Sequence, residues 1–493
     1  MSTRESWRRR GAGRLDAARS PDLAAFRIYR PGTGAGVNLI HMGRFGGLLV
    51  GVTAVALVAG HVFAASAGAA PAATATSAEC SVQSGREPER AEPEAVGLNS
   101  QRLADALTFA STRNRLNVQV FRHNCLIGEG PTNDQTGNVA WNVWSVTKSI
   151  VSLLAGIASD QGKLEITAPI GQYLPPELGD RQRRAITVEN LLTESSGMRV
   201  GVVTEGITGV IPLDPSSAVQ ALGVPLDHEP GTVFSYSQRN VDLLSYVIEL
   251  AVGEPLQQFA QRELFDPLGI APSDYYWARD RSGHTYGYAH LMIPPNDLSK
   301  LGLLVANNGR WGTTQLVSQS YLDKARSPSA TNHCYGYLFW LGPACAENAS
   351  FLPPDMYSMA GMGMQNVFVF PSQDLTVVWT GMFGNVSAYG PSGVIQNMAE
   401  LPHEFFRRLF AAFDEPPVAD PGPYVEPPLT LDPNAFIDTD ILLAIVGVGP
   451  SAYPGCNVFA CLNQPLRPPF SDAPPGCAIL ACLGPDPRTP GIH

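Results

Sequence analysis

Lysine is scarce in this chain: only Lys148, Lys163, Lys300 and Lys324 occur among 493 residues, and charged residues of all kinds make up 16%. The formal charge is −11. Residues 1–44 carry nine Arg against three acidic side chains, a net of +6, which leaves −17 for the rest. So acidic a body argues against nucleic acid as a partner, because phosphate binding needs a cationic surface. There is no Gly-x-Ser-x-Gly elbow, which disfavours an α/β-hydrolase. There is no His-Glu-x-x-His pair and no glycine-rich phosphate loop. No cofactor and no metal site is expected. Against these absences stands a 44% hydrophobic content, enough for a substantial core.

Residues 45–67 contain no Asp, Glu, Lys or Arg. This apolar run follows Arg44 and ends in small residues, with Ala65-Ser66-Ala67 and Ala67-Gly68-Ala69 as cleavage sites. It reads as an export signal within residues 1–67, with Met42 as an alternative start. An uncleaved membrane anchor is the competing reading, since the run is long enough to span a bilayer. The expected location is therefore secreted or cell envelope.

All eight Cys follow the signal, at 80, 125, 334, 345, 456, 461, 477 and 482. An exported chain would pair them. The proposed pairs are Cys80–Cys125, Cys334–Cys345, Cys456–Cys461 and Cys477–Cys482, although sequence cannot establish connectivity. Zinc is the alternative for the last four, but their spacing suits it poorly.

Residues 68–95 read as a linker, 96–413 as one folded domain, and 414–493 as a separate tail. The tail holds 17 of the 42 prolines, too many for ordinary helices or central strands. Within it, Pro454-Gly455-Cys456 and Ala460-Cys461-Leu462 recur as Pro475-Gly476-Cys477 and Ala481-Cys482-Leu483. Two units suggest small disulfide-closed loops on an extended strap. The apolar stretch Ile441–Val448 is a candidate to dock on the main domain or on an envelope partner.

Inside the domain, a helix is expected at Gln101–Ser111, then strands at Val118–Phe121 and Cys125–Gly128. Ile150, Val151, Leu153, Leu154 and Ile157 recur at helical spacing after Ser145. Residues 160–325 read mainly as helices and loops. Strands return at Tyr337–Leu341, Asn366–Phe370 and Leu375–Thr380, and Leu401–Phe413 is a final amphipathic helix. Strands at both ends and helices between imply an α+β fold, an antiparallel sheet closed by terminal helices with a helical insertion.

The candidate chemistry starts at Ser145-Val146-Thr147-Lys148. Ser145 opens a helix, and Lys148 lies one turn on, on the same face. A serine hydroxyl needs an adjacent base to act as a nucleophile. A lysine supplies one if burial or a neighbouring cation lowers its pKa. The helix N-terminus adds positive potential. Taken alone the motif is weak, since a Ser three residues before a Lys arises by chance about one time in four here. By itself it would describe a helix N-cap and a solvated lysine.

Other motifs change that balance. In order they are Leu191-Leu192-Thr193-Glu194-Ser195-Ser196-Gly197, Phe234-Ser235-Tyr236-Ser237-Gln238, Pro267-Leu268-Gly269, Asn307-Asn308-Gly309-Arg310-Trp311, Tyr335-Gly336-Tyr337 and Ala360-Gly361-Met362-Gly363-Met364-Gln365. This ordered set resembles the serine β-lactamase-like superfamily over roughly 96–413. It is most similar to the class C-like branch of esterases, D-amino-acid peptidases and 6-aminohexanoate-dimer hydrolases. The resemblance implies a β-lactamase/transpeptidase-like fold and an acyl-enzyme on Ser145. It implies Lys148 as base or relay, and Tyr236 exchanging protons with nucleophile and leaving group. Gln238 stands where the family usually has Asn. Gly361 and Met362 match the third box, which usually carries Lys or His two residues before the glycine; Met359 stands there instead. The Met362 N–H, with that of Ser145, would form the oxyanion hole. Loss of that cation makes β-lactamase activity less expected than esterase or amidase activity.

The sequence thus describes an exported serine hydrolase acting on a small amide or ester. A D,D-carboxypeptidase or penicillin-binding enzyme is one alternative. A catalytically silent envelope-binding protein on the same fold, making contact through the tail, is another. The apolar stretch within 200–226, with Phe339, Trp340 and Met362, is expected to border the pocket and favour apolar acyl groups.

Overall fold

The computed structural model describes residues 78–82, 87–200, 205, 213–343, 350–382 and 393–425, and in the tail 443, 446–449, 452, 455–457, 459–462 and 465–483. All of these fall in one unit, Thr74–His493. The expected export signal and Cys345 lie outside the described residues. Among those described, no helix is long and apolar enough to cross a membrane.

The strands, in chain order, are β1 (Arg115–Arg122), β2 (Cys125–Glu129), β3 (Trp141–Asn142), β4 (Tyr276–Trp277), β5 (Leu291–Ile293), β6 (Arg310–Trp311), β7 (Thr314–Gln315), β8 (Trp340–Leu341), β9 (Tyr357–Gly361), β10 (Gln365–Phe370) and β11 (Leu375–Gly381). Six of them form the main antiparallel sheet, in the order β2-β1-β11-β10-β9-β8. An early and a late strand are therefore neighbours in this sheet, where β1 pairs with β11 from Arg115↔Gly381 to Arg122↔Leu375.

Side-chain alternation along these strands builds two cores. Phe368 and Phe370 of β10, with Val377 and Trp379 of β11, face the Ser100–Thr112 and Gly393–Ala411 helices and meet Leu103, Leu107, Phe405, Phe406 and Phe410. Val367, Val369 and Val378 face the other way, into the larger core that holds the Val146–Asp160 helix and the helical middle region. This is the α+β, β-lactamase/transpeptidase-like layering.

Some elements differ from expectation. Strand β8 is only Trp340–Leu341, because Leu338 takes a left-handed φ of 62° and the Tyr337 and Leu338 amides turn to the Ala325 and Leu192 carbonyls. The last helix starts earlier, at Gly393. The middle region also contains a second sheet, β3-β5-β4, unseen in the sequence because its strands are two or three residues long.

Among the described residues, disulfides join Cys80–Cys125, Cys456–Cys461 and Cys477–Cys482. Of the proposed docking stretch, Leu443, Val446 and Val448 are exposed, and residues 441, 442, 444 and 445 lie outside the described residues.

Candidate active site

The Val146–Asp160 helix is buried from Val146 to Ala158. Its small polar residues make this possible: Ser149 donates to the Leu338 carbonyl (2.6 Å), and Ser152 pairs with the Tyr321 hydroxyl (3.0 Å). Gly156 lets the Tyr321 ring close in, since a Cβ there would lie 2.6 Å from a ring carbon. The helix therefore carries Lys148 into the interior, where only 1% of it is exposed. A solvated lysine it is not.

Ser145 occupies the N-cap position, but its side chain makes no capping bond. Its hydroxyl instead accepts a hydrogen bond from Lys148 Nζ at 3.2 Å. The other two Nζ donors go to Gln238 Oε1 (2.6 Å) and the Tyr288 carbonyl (3.1 Å). An ammonium has three donors and no acceptor. Loss of one proton frees a lone pair for a partner, and of the three contacting oxygens only the Ser145 hydroxyl carries a proton to donate.

Burial pushes the Lys148 pKa down to about 8, opposed by the charges of Glu194, Asp242 and Glu205. Among the described residues no ion pair involves Lys148. Glu205, Asp214 and Asp242 line a small cavity with Gln238 and Tyr288.

Tyr236 lies over the same amine, with Nζ 4.7 Å from its ring centre. Burial raises its pKa well above the ordinary range, and a hydrogen bond with Ser145 partly opposes this. The phenol therefore stays protonated at neutral pH. Its ring packs against Trp340 and Tyr335, at 5.7 and 6.1 Å. Gln238 opens the Gln238–Val252 helix; the longer amide still reaches Lys148.

Gly361 ends β9 against the segment Val143–Ser145. A Cβ there would lie 2.2 Å from the Val143 carbonyl oxygen and 3.2 Å from the Ser145 nitrogen. Only glycine allows this approach. Met362 follows in the turn between β9 and β10 and is 36% exposed. The structure thus brings Ser145, Lys148, Tyr236 and Gln238 together, with Gly361 beside the Ser145 amide and Met362 next in line.

The expected pocket wall is only partly seen. Trp340 is half-buried beside Tyr236. Phe339 is fully buried and packs on Tyr357, so it belongs to the core. Val202, Val203, Ile207, Val210 and Ile211 lie outside the described residues.

Several residues were missed in the sequence. Glu194 is fully buried, with a left-handed φ of 53°. Its Oε2 accepts from the Ser237 amide (2.9 Å) and Asn240 Nδ2 (2.8 Å), while Oε1 has no partner among the described residues. Burial raises its pKa to about 8. Glu205 forms a buried ion pair with Arg239 (2.8 Å) and accepts from the Ser237 hydroxyl (3.1 Å). His290 is fully buried against Trp144. Local sequence does not reveal what these three hold, because partners such as Ser237, Arg239 and Asn142 are distant in the chain.

The beta-lactamase family model matches residues 129–384, just over half of the chain. The chain belongs to the beta-lactamase family. Among its relatives in that family is a penicillin-binding protein of Bacillus subtilis (strain 168), PbpX, 22% identical over 277 residues, covering 52% of this chain and 64% of that one. Esterase EstB of Burkholderia gladioli is 33% identical over 141 residues, covering 26% of this chain and 36% of the esterase. The chain thus spans less than two thirds of the length of either. A 6-aminohexanoate-dimer hydrolase structure from Bacillus anthracis superposes with a TM-score of 0.50 at 14% identity, covering 67% of this chain and 88% of that one, and so shares the fold. The beta-lactamase family's antiparallel sheet is thus the frame on which the serine, lysine and tyrosine converge.

Proposed function

We propose that the protein is an exported serine hydrolase that cleaves an amide or ester through an acyl-enzyme on Ser145. The observation that carries this reading is the buried Lys148 amine, held 3.2 Å from an uncapped Ser145 hydroxyl. In the reaction, neutral Lys148 takes the Ser145 proton as Oγ bonds the carbonyl carbon. The Ser145 and Met362 amides face the developing oxyanion. Protonated Tyr236 passes a proton to the leaving nitrogen or oxygen as its bond to carbon breaks. Water then repeats the sequence in reverse roles and frees Ser145.

Apolar acyl groups are the favoured substrates. Trp340 and Met362 flank the site, and Met359 stands where a carboxylate-binding cation would be needed for a β-lactam. Gln238 keeps its bond to Lys148, which argues for turnover over a silent binding protein. The three disulfides support an oxidising, exported setting.

The test is labelling by a fluorophosphonate, followed by a panel of p-nitrophenyl esters and aminohexanoate amides against a cephalosporin. Labelling of wild type and not of Ser145→Ala is expected, with esters or amides turned over faster than the cephalosporin. Equal labelling of both proteins removes Ser145 as nucleophile.

A further inference from the structure

The family match ends at residue 384, yet the Pro-rich tail returns to the strand that leads into Ser145. Residues 465–483 cross the small sheet. The Arg467 carbonyl accepts from Arg281 Nε (2.8 Å), and the Arg467 amide donates to the Arg281 carbonyl (3.1 Å). Asp472 accepts from the Tyr276 hydroxyl (2.9 Å) and pairs with Arg279 (3.3 Å). Phe470 packs on Tyr276 and His290.

The hairpin closed by Cys477–Cys482 then lies along β3. The Asn142 amide donates to the Leu480 carbonyl and the Cys482 amide to the Ala140 carbonyl, both at 2.9 Å, so Ala481 pairs with Trp141 as an added strand. Asn142, 1% exposed, links this strap to the nucleophile loop. Its Nδ2 donates to the Ile479 carbonyl (2.8 Å) and lies 3.1 Å from His290 Nδ1, while its Oδ1 accepts from the Trp144 amide (2.9 Å). Trp144, the residue before Ser145, holds a left-handed φ of 48°. That conformation is strained for a non-glycine residue and persists only where neighbours impose it.

We infer that the Cys477–Cys482 hairpin and Asn142 are positioning elements for the nucleophile, so that the tail is a working part of the site. The inference rests on the hydrolase reading for its catalytic consequence, but not for the contact itself. The tail's own repeat supplies the control. The Cys456–Cys461 hairpin has the same pattern, but the hydrogen bonds described for it close within the hairpin, Asn457 to Ala460 and Leu462 to Gly455. Its Phe459 and Leu462 are 78% and 85% exposed. Among the described residues, the backbone bonds to β3 come from the Cys477–Cys482 unit.

The experiment compares full-length Cys477→Ser/Cys482→Ser with Cys456→Ser/Cys461→Ser. Three quantities are measured: the fluorophosphonate labelling rate, kcat and KM on p-nitrophenyl acetate, and amide hydrogen exchange over residues 141–148. The first variant should lose about tenfold or more in labelling rate and kcat, as small displacements of a reacting group do, with KM little changed. Its exchange over 141–148 should speed up. The second should match wild type in all three. Asn142→Asp, which keeps an acceptor for the Trp144 amide, should retain more activity than Asn142→Ala. The inference is overturned if the two double variants behave alike, or if the first keeps wild-type exchange and rates. A wild-type protein that neither labels nor turns over any ester defeats the hydrolase reading instead, and exchange at 141–148 still decides the role of the strap.

Discussion

Glu194 grips Tyr236 from both sides: its carbonyl accepts the amide of Ser235 (2.8 Å), and its carboxylate accepts the amide of Ser237 (2.9 Å). The phenol thus hangs between two anchored peptide groups, above the Lys148 amine. Burial raises the pKa of Glu194 and lowers that of Lys148, both to about 8.

With the free amine as the proposed base, kcat/KM should rise with pH through about 8, the value burial gives Lys148. Gln238→Glu places a carboxylate where an amide now accepts from Nζ. A charged partner favours the ammonium, so the rising limb should move to higher pH. A pH–rate profile of both proteins checks this; an unmoved limb would remove Lys148 as its source.

Lys148→Arg keeps the positive charge but cannot give up its proton. Activity should fall by about 10³-fold or more, the scale on which loss of an essential base acts. Single-turnover acylation is the measurement, with circular dichroism to confirm folding.

Lys148→Met should stabilise the fold at pH 7. The folded pKa lies below the ordinary lysine value of 10.5, so protonated Lys148 is penalised in the native state. That penalty is complete below pH about 8 and fades as pH rises toward 10.5. The variant should gain about 1–3 kcal/mol at pH 7, less near pH 10. Urea midpoints at the two values decide it, and a gain that grows with pH would contradict the buried-amine account.

Gly361→Ala should lower kcat by about 10²-fold, comparable to losing one oxyanion donor. The added methyl meets the Val143 carbonyl at 2.2 Å, so β9 must withdraw from the Ser145 amide. Steady-state kinetics with a thermal melt separate this from unfolding; unaltered kcat in a folded variant would place the oxyanion elsewhere.

The long strands and helices were legible because their periodicity is local. Val118–Phe121, Asn366–Phe370 and Leu375–Thr380 are short, mostly apolar runs and fall within a few residues of β1, β10 and β11. The two-residue strands were not, since two residues carry no period. Tyr337–Leu341 was read as too long a strand, because the left-handed turn at Leu338 depends on carbonyls at Leu192 and Ala325.

By itself the sequence determined the serine, the lysine one turn later and the tyrosine box, because helical spacing and motif order are properties of the chain. The tertiary structure alone decided that Lys148 is dry, that Glu194 clamps the tyrosine loop, and that the strap returns to β3. These depend on desolvation and on hydrogen bonds between residues tens to hundreds of positions apart, which no local pattern encodes.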